Sequence, residues 1–339
     1  MRAIRIHGRQ DLRTEELPTP RPGADQVRVR VAYVGVCGSD LHYFADGAAG
    51  VFTIREPLVP GHELSGVVDL DPSGRYAPGT PITVHPATWG EPQPGLGPDR
   101  RHLWPGGGYL GSASTWPHTQ GAMADHLIVR HDQVRPLPAN LPLRRAALAE
   151  PLAVGLHGLA VAGGVRGKRV LVSGSGPIGL LTVAGAVADG AAEVVATDLL
   201  DGPLARATAV GATAVINVGT DELPDQAYDV VLECAGVPQA ITGLLGAVRR
   251  GGVLVQLGNL PNVPREVNLA ALVSKEVQYR GSFRFNTEID DAVRMLAEQP
   301  TIENVITHVH PVAEVAEAFA VAADSQASGK VLIDFGDGA

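Results

Sequence analysis

Aromatic residues, cysteines and basic clusters are all scarce in this chain, and each shortage excludes a class of protein. Phe, Trp and Tyr together make up 4% of the 339 residues, so Val, Ala and Leu must fill any core. The two cysteines, Cys37 and Cys234, are too few for a disulfide framework and fit a reducing compartment, with a single bridge formally open. Lys and Arg total 27 against 36 Asp and Glu, a net charge of -9. Without a basic stripe the chain lacks the cationic footprint that phosphate backbones require, which argues against a nucleic-acid partner. No stretch approaches the ~18 consecutive apolar residues of a membrane span. The start, MRAIRIHGRQDLRTEELP, carries acids and lacks the apolar core of a signal peptide. The expectation is a cytoplasmic protein without membrane contact.

What is present, 45% apolar and 19% charged residues, is the balance of a globular protein, and the length favours two domains. From residue 27, VRVRVAYVGVCGSD alternates Val with Arg and then turns wholly apolar, as a strand does when it runs from a half-exposed edge into a core. The short runs LSGVVDL, PITV and HLIV follow, separated by Pro and Gly turns, so the first part reads as mostly β. Near Glu150 the pattern changes. Strand-like runs at 169–174, 193–198, 213–218, 228–236, 252–258 and 277–282 alternate with the helix-period segments PIGLLTVAGAVAD, GPLARATAVG and PQAITGLLGAVRR. Such alternation specifies an α/β fold with a doubly wound parallel sheet covered by helices on both faces. Two further helices, EIDDAVRMLAEQ and VAEVAEAFAVAAD, precede the strand GKVLIDF, which periodicity alone assigns neither to that sheet nor to the first domain.

VLVSGSGPIGLL places Gly174, Gly176 and Gly179 in the G-x-G-x-x-G spacing. With 41 glycines that spacing arises by chance, so its context carries the reading: it leaves an apolar strand, opens a helix at Pro177 and Ile178, and the next strand ends in Asp198. Gly174 permits the tight turn, Gly176 lets backbone approach a pyrophosphate, and Gly179 lets the helix pack on the strand. The helix N-terminus then faces the phosphate charge, and Pro177 suits its first turn. Asp198 accepts hydrogen bonds from the adenosine ribose and repels a 2'-phosphate, which predicts NAD over NADP.

Cys37 in VGVCGSDLHYF, with His62 and Glu63 in VPGHELSG, offers a thiolate, an imidazole and a carboxylate. These are ligand types of a catalytic zinc site that keeps its fourth position open. Alone each is ordinary, a single Cys being most often a small buried hydrophobe; together, ahead of a dinucleotide-type sheet, they are specific. Glu150 falls in a run of Ala and Leu, where an unpaired carboxylate is costly and a metal or its water would compensate it. Ser39 and His42 closely follow Cys37, suiting a hydroxyl that takes a proton from a bound alcohol and an imidazole that passes it to solvent.

Together Cys37-Gly-Ser-Asp-Leu-His42, Gly61-His62-Glu63, Ala149-Glu150-Pro151-Leu152, the Gly174 to Gly179 loop and RGSFRF at 280–285 resemble the zinc-dependent medium-chain dehydrogenases over essentially the whole chain. The resemblance implies a GroES-like β-rich catalytic domain from residues 1–150 and 285–339, and a Rossmann NAD-binding domain from 151–284. AEPLAV, CGSDLHY and GSFRF are similar to the polyol and sugar-acid branch, which includes sorbitol, xylitol and L-idonate dehydrogenases, and LGSASTWPHTQGAMADHLIV looks most like bacterial L-idonate 5-dehydrogenases. It puts Cys37, His62 and Glu63 at zinc-ligand positions, Glu150 at the acid that binds the metal directly or through its water, and Ser39 and His42 in the proton relay. Tyr43 and Arg284 fall at substrate-pocket positions, and Leu257-Gly258-Asn259 and Ser282-Phe283 along the nicotinamide. Related enzymes often carry an Arg where this chain has Gly202 or Pro203; Arg206 is near enough in sequence to soften the preference set by Asp198.

The implied reaction is reversible oxidation of a secondary alcohol of a polyol or sugar acid. Zinc lowers the hydroxyl pKa, the hydride goes to a nicotinamide held against the carbinol carbon, and Arg284 anchors a carboxylate or hydroxyl. A sorbitol- or xylitol-type polyol dehydrogenase, a zinc-free quinone or enone reductase, and a non-catalytic NAD-binding protein stay open as alternatives. The family habit implies a homodimer or homotetramer.

One run has no periodicity at all: PATWGEPQPGLGPDRRHLWPGGG, residues 86–108. Many members of the family hold a structural zinc here with four cysteines spaced C-x2-C-x2-C-x7-C. A gapless reading puts those ligands at Gly90, Gln93, Leu96 and Trp104, none of which binds zinc. The expectation is one zinc per chain, a lobe stiffened by the five prolines from Pro86 to Pro105, and Trp89 or Trp104 packed in place of the metal.

Overall fold

Consecutive apolar residues of a strand are all buried only when both faces of the sheet are covered, and Val170, Leu171 and Val172 are each fully buried. Their strand, Arg169–Ser173, lies inside a six-stranded parallel sheet ordered Ala214–Asn217, Glu193–Asp198, Arg169–Ser173, Tyr228–Glu233, Val248–Gln256, Gln278–Gly281. The computed structural model describes residues 1–336; helices Pro177–Ala188, Asp201–Ala209 and Pro238–Ala247 make crossovers between these strands. Strand order reverses between Arg169–Ser173 and Tyr228–Glu233, and it is at the carboxyl ends of strands beside such a reversal that α/β sheets bind ligands.

One helix is shorter than its periodicity suggests. The run expected to stay helical to Arg250 leaves the helix at Ala247; Val248 is extended and pairs with Tyr228 at the start of the next strand. Gly251 sits at φ 67° just beyond, so the β-branched residue and the glycine together favour the sheet over another helical turn.

A second sheet is ordered Ile306–Pro311, Lys330–Asp334, Gln26–Gly35, Glu63–Leu70, Pro81–Val84, Val134–Pro136, with His126–Arg130 also paired to Gln26–Gly35. Lys330–Asp334 lies antiparallel to Gln26–Gly35, so this strand joins the sheet built by the first part of the chain. The Val-Arg alternation works as its period requires: Val27, Val29 and Val31 point into a core with Ile82, Val84, Phe319 and Ile333. Among the described residues no helix is long and apolar enough to cross a membrane.

The proline-glycine run folds through protein contacts. It holds one short 3-10 helix, Pro98–Leu103. Trp104 Nε1 donates to Leu96 O at 3.0 Å, which joins two of the four positions where the resemblance would put zinc-binding cysteines. The Arg101 guanidinium lies 4.3 Å over the Trp89 ring, and Trp89 meets His85 edge-on at 4.8 Å. Arg101 Nε donates to Asn286 Oδ1 at 3.2 Å, and Asn286 Nδ2 to Pro98 O at 3.2 Å. Beside them the His102 ring lies 4.7 Å from that of His157, which shares a 2.7 Å hydrogen bond with Glu288. The lobe is thus docked on the segment just after Arg284. Burial brings the His85 and His102 rings down to about 4, so both dock as neutral groups.

Burial opposes the Glu288 carboxylate, yet His157 and the Asn286 N–H outweigh it and bring its pKa from 4.5 to about 2. A depressed carboxyl stabilises the fold above its unfolded pKa and loses that contribution as pH falls through the folded one. Between pH 4.5 and about 2 the wild-type Tm should therefore fall more steeply than that of Glu288→Gln; parallel curves in acid melting experiments would show that this pair contributes nothing.

Candidate metal centre and cofactor cleft

Cys37 follows the strand Gln26–Gly35 and caps the helix Gly38–Asp46, while His62 and Glu63 open the neighbouring strand; the pairing of Gly35 with Glu63 sets the two in register. One donor atom from each of Cys37, His62 and Glu63 then falls within 4.8 Å of the others. Asp40, fully buried, holds both loops: Oδ2 accepts from Cys37 N at 2.9 Å and Oδ1 from Gly61 N at 3.1 Å. Gly61 itself, at φ 91°, is so enclosed that a Cβ would meet Val34 at 2.8 Å and Met123 at 2.9 Å, so only glycine lets His62 approach. Sequence reasoning missed Asp40; an acid at the third position of a helix N-terminus was its available signal.

Lys330 Nζ lies 2.6 and 2.7 Å from the two oxygens of Glu63 and donates to Val36 O at 3.1 Å, with both side chains buried. Three acidic groups, Cys37, Glu63 and Glu150, are thus grouped around His62 and one lysine. Burial works against an imidazolium at His62, but Cys37, Glu150 and Asp40 hold its pKa up at about 10. The cluster therefore captures a proton unless another cation is supplied. His62 Nδ1 is buried without a hydrogen-bond partner. An unpartnered imidazole nitrogen, a thiolate and a carboxylate fit a zinc ion.

Glu150, in the first turn of the helix Ala149–Val161, lies outside that triangle of donors and accepts a hydrogen bond from the Tyr109 hydroxyl. Burial pushes its carboxyl up, against the pull of His62. Tyr109 was not legible as a site residue; it follows three glycines in an aperiodic loop. Its ring lies 5.4 Å from that of His62 and carries the Arg284 guanidinium at 4.1 Å. Arg284 is therefore directed inward, from a left-handed backbone at φ 52°. Tyr43 is buried on the same helix as Ser39, its hydroxyl accepting from Ala113 N at 3.0 Å. Ser39 is half-buried; His42 is exposed, 3.5 Å from Asp46.

At the switch point Gly174 adopts φ 88°, and a Cβ on Gly179 would overlap Gly174 O, whereas one on Gly176 would meet nothing within 4 Å. The loop is tight against its own sheet and open outward, the cradle a pyrophosphate needs. Pro177 and Ile178 begin the helix behind it. Asp198 Oδ2 accepts from Ser175 N at 2.9 Å and Oδ1 from Leu200 N at 3.1 Å, which fixes the carboxylate at the loop. Arg206 lies near enough for the Asp198 charge to act on it, as expected, and its guanidinium donates to Ser325 O at 2.6 Å and Gln326 O at 3.2 Å. Leu257 N and Gly258 N donate to Glu233 O at 2.8 and 2.9 Å, and Asn259 follows against Gly236. The Glu233 carboxylate is buried and accepts from Ala235 N and Gly236 N, each at 2.9 Å; an acid ending an apolar strand was its unused signal. Ser282 N donates to Gln256 O at 2.9 Å, its hydroxyl is buried without a partner, and Phe283 is exposed. Both cysteines are free, and burial pushes the Cys234 thiol up to about 12, which leaves it inert.

A β-rich unit with a Cys-His-Glu cluster, set beside a dinucleotide-type sheet, defines a dehydrogenase architecture. Residues 23–139 match the alcohol dehydrogenase GroES-like domain and residues 177–298 the zinc-binding dehydrogenase domain. Sorbitol dehydrogenase of Bos taurus is 34% identical over 327 residues, 93% of this chain and 90% of that protein. L-idonate 5-dehydrogenase (NAD(P)(+)) of Escherichia coli K12 is 33% identical over 322 residues, 91% of each. The crystal structure of the Escherichia coli L-idonate 5-dehydrogenase superposes with a TM-score of 0.91 at 30% identity, covering 98% of both chains. The chain belongs to the zinc-binding polyol and sugar-acid dehydrogenases and is an oxidoreductase acting on a small molecule.

If Asp40 ties the two ligand loops together, Asp40→Asn, which turns one acceptor into a donor facing an N–H, should lower bound zinc severalfold with an unchanged circular dichroism spectrum. Metal analysis of the purified variant checks this; wild-type zinc content would refute the tie.

Proposed function

We propose that this dehydrogenase oxidises the secondary alcohol of a sugar acid, L-idonate to 5-keto-D-gluconate, with NAD as hydride acceptor and one zinc ion per chain. The observation that carries the sugar-acid part is Arg284. Its guanidinium stacks on Tyr109 near Glu150, and no hydrogen bond to another described residue occupies it. A planar fork left free in this way suits a carboxylate.

A bound zinc ion supplies Lewis acidity that lowers the pKa of the substrate hydroxyl. Cys37, His62 and Glu63 hold it, with Glu150 as a fourth acid that acts directly or through water. Ser39 takes the hydroxyl proton, and the exposed His42 releases it to solvent. Tyr43 walls the pocket, and Arg284 orients the substrate so that one carbinol faces the nicotinamide. Gly174, Gly176, Pro177, Ile178 and Gly179 cradle the pyrophosphate, Asp198 holds the ribose, and Leu257, Gly258, Asn259, Ser282 and Phe283 line the nicotinamide half. NAD is favoured over NADP because Arg206, the nearby cation, is already engaged by Ser325 and Gln326; the Escherichia coli relative is named for both nucleotides. The proposed catalytic domain comprises residues 1–150 and 285–339, of which 337–339 lie outside the described residues, and the cofactor domain 151–284. A cytoplasmic homodimer or homotetramer completes the reading, with size-exclusion chromatography as its check. A neutral polyol is the second reading, supported by the 34% identity to bovine sorbitol dehydrogenase.

L-idonate, D-gluconate, sorbitol, xylitol and L-threonine, followed by NADH absorbance, separate these readings. The expected kcat/KM for L-idonate exceeds that for sorbitol by about tenfold, the worth of one charge-assisted contact; a preference for sorbitol selects the neutral polyol. Cys37→Ala should abolish turnover and keep NAD binding, and retained activity would overturn its role as ligand. Metal analysis should give zinc near one per chain, since Gly90, Gln93, Leu96 and Trp104 offer no ligands; a value near two contradicts the metal-free lobe, and none contradicts the zinc mechanism.

A further inference from the structure

We propose that Tyr109 is a positioning residue that sets the span of the substrate site, its hydroxyl holding Glu150 at the metal end and its ring holding Arg284 at the carboxylate end. The inference rests on the reading of Arg284 as an anion anchor. Tyr109 is 6% exposed. It touches three groups on three different segments: its hydroxyl donates to Glu150 Oε1, its ring supports the Arg284 guanidinium at 4.1 Å, and the same ring meets His62 at 5.4 Å and 64°.

The proline-glycine lobe holds Tyr109 in that place. Tyr109 bridges Ala87, Thr88 N donates to Gly108 O at 3.0 Å, Leu110 N donates to Pro86 O at 3.0 Å, and Thr88 Oγ1 accepts from Gly108 N at 3.0 Å. A Cβ on Gly107 would meet Thr88 O at 2.6 Å, so small residues are required for the two arms to close. The proline-glycine lobe is thereby the mount of the residue between metal site and anion anchor. Arg284, at φ 52°, stands in a conformation costly for a residue with a Cβ, and the Tyr109 face opposes its relaxation. Phe283 adds a second ring 4.8 Å from the Arg284 guanidinium, but Tyr109 alone touches both ends, so the separation between reacting carbinol and carboxylate is built in, which selects aldonates of a given length over shorter hydroxy acids.

Three proteins test this: wild type, Tyr109→Phe and Tyr109→Leu, each with zinc content measured. Readouts are kcat and KM for L-idonate, and the Kd of D-gluconate for the enzyme–NADH complex from nucleotide fluorescence. Phe keeps the ring, so KM and Kd should stay within about twofold of wild type while kcat falls about tenfold through the loosened Glu150. Leu removes the ring as well, so KM and Kd should rise about tenfold. A Leu variant that binds D-gluconate like wild type overturns the proposal, as does a Phe variant that loses binding as fully as Leu. A merely structural tyrosine would lower Tm and active fraction and leave KM and Kd unchanged, which also overturns it. Failure of the Arg284 reading shows separately, as Arg284→Gln binding D-gluconate as well as wild type. In that case an unchanged kcat of Tyr109→Phe on whichever polyol is accepted overturns the hydroxyl's role too.

Discussion

A buried carboxylate such as Glu63 is kept out of water only if positive charge is kept beside it. In this protein Lys330 provides part of that charge, bound to both oxygens of Glu63 and to the carbonyl of Val36. Removing one partner of such a buried pair costs about 3–5 kcal/mol, because the other is left uncompensated. The strand that carries Lys330 is held beside Gln26–Gly35 by its backbone ladder, and the ion pair makes that placement electrostatically necessary as well. Cys37, His62 and Glu63 meet beside that pair, with one donor atom from each within 4.8 Å of the others, a grouping that could hold a metal ion.

The substrate side has a different logic, built from aromatic faces and backbone clamps. Trp89, His85 and Phe285 pack in succession with their ring planes crossed, with Arg101 over the Trp89 face and Asn286 bonded to the lobe. The chain immediately after Arg284 is therefore packed against the loop that presents Tyr109. A chain with 4% aromatic residues concentrates several of them here, where orientation matters more than volume.

Residues whose chemistry depends on local backbone were legible in the sequence. Gly174, Gly179 and Asp198 announce themselves because strand, turn and helix lie in one continuous segment, and Cys37 with His62 and Glu63 because two loops pair through adjacent strands. What stayed hidden depends on distant contacts. Lys330 finds Glu63 across 267 positions, and Arg206 finds the Ser325 and Gln326 carbonyls across 119 and 120. Tyr109 lies in a loop with no period to read, and its partners Glu150 and Arg284 come from separate segments. The helix end at Ala247 was hidden for a related reason: the strand that takes over at Val248 exists only once Tyr228 is beside it.

The pairing of Lys330 with Glu63 also has a consequence in time. During synthesis the ribosome must deliver the entire cofactor-binding sheet between Glu63 and Lys330 before the lysine exists. Until then Glu63 lacks its lysine partner, and Tyr33, Val34 and Gly35 lack the strand that pairs with them. Cys37, His62 and Glu63 are thus translated well before Lys330, and the cluster gains its buried ammonium only when the strand Lys330–Asp334 docks on Gln26–Gly35.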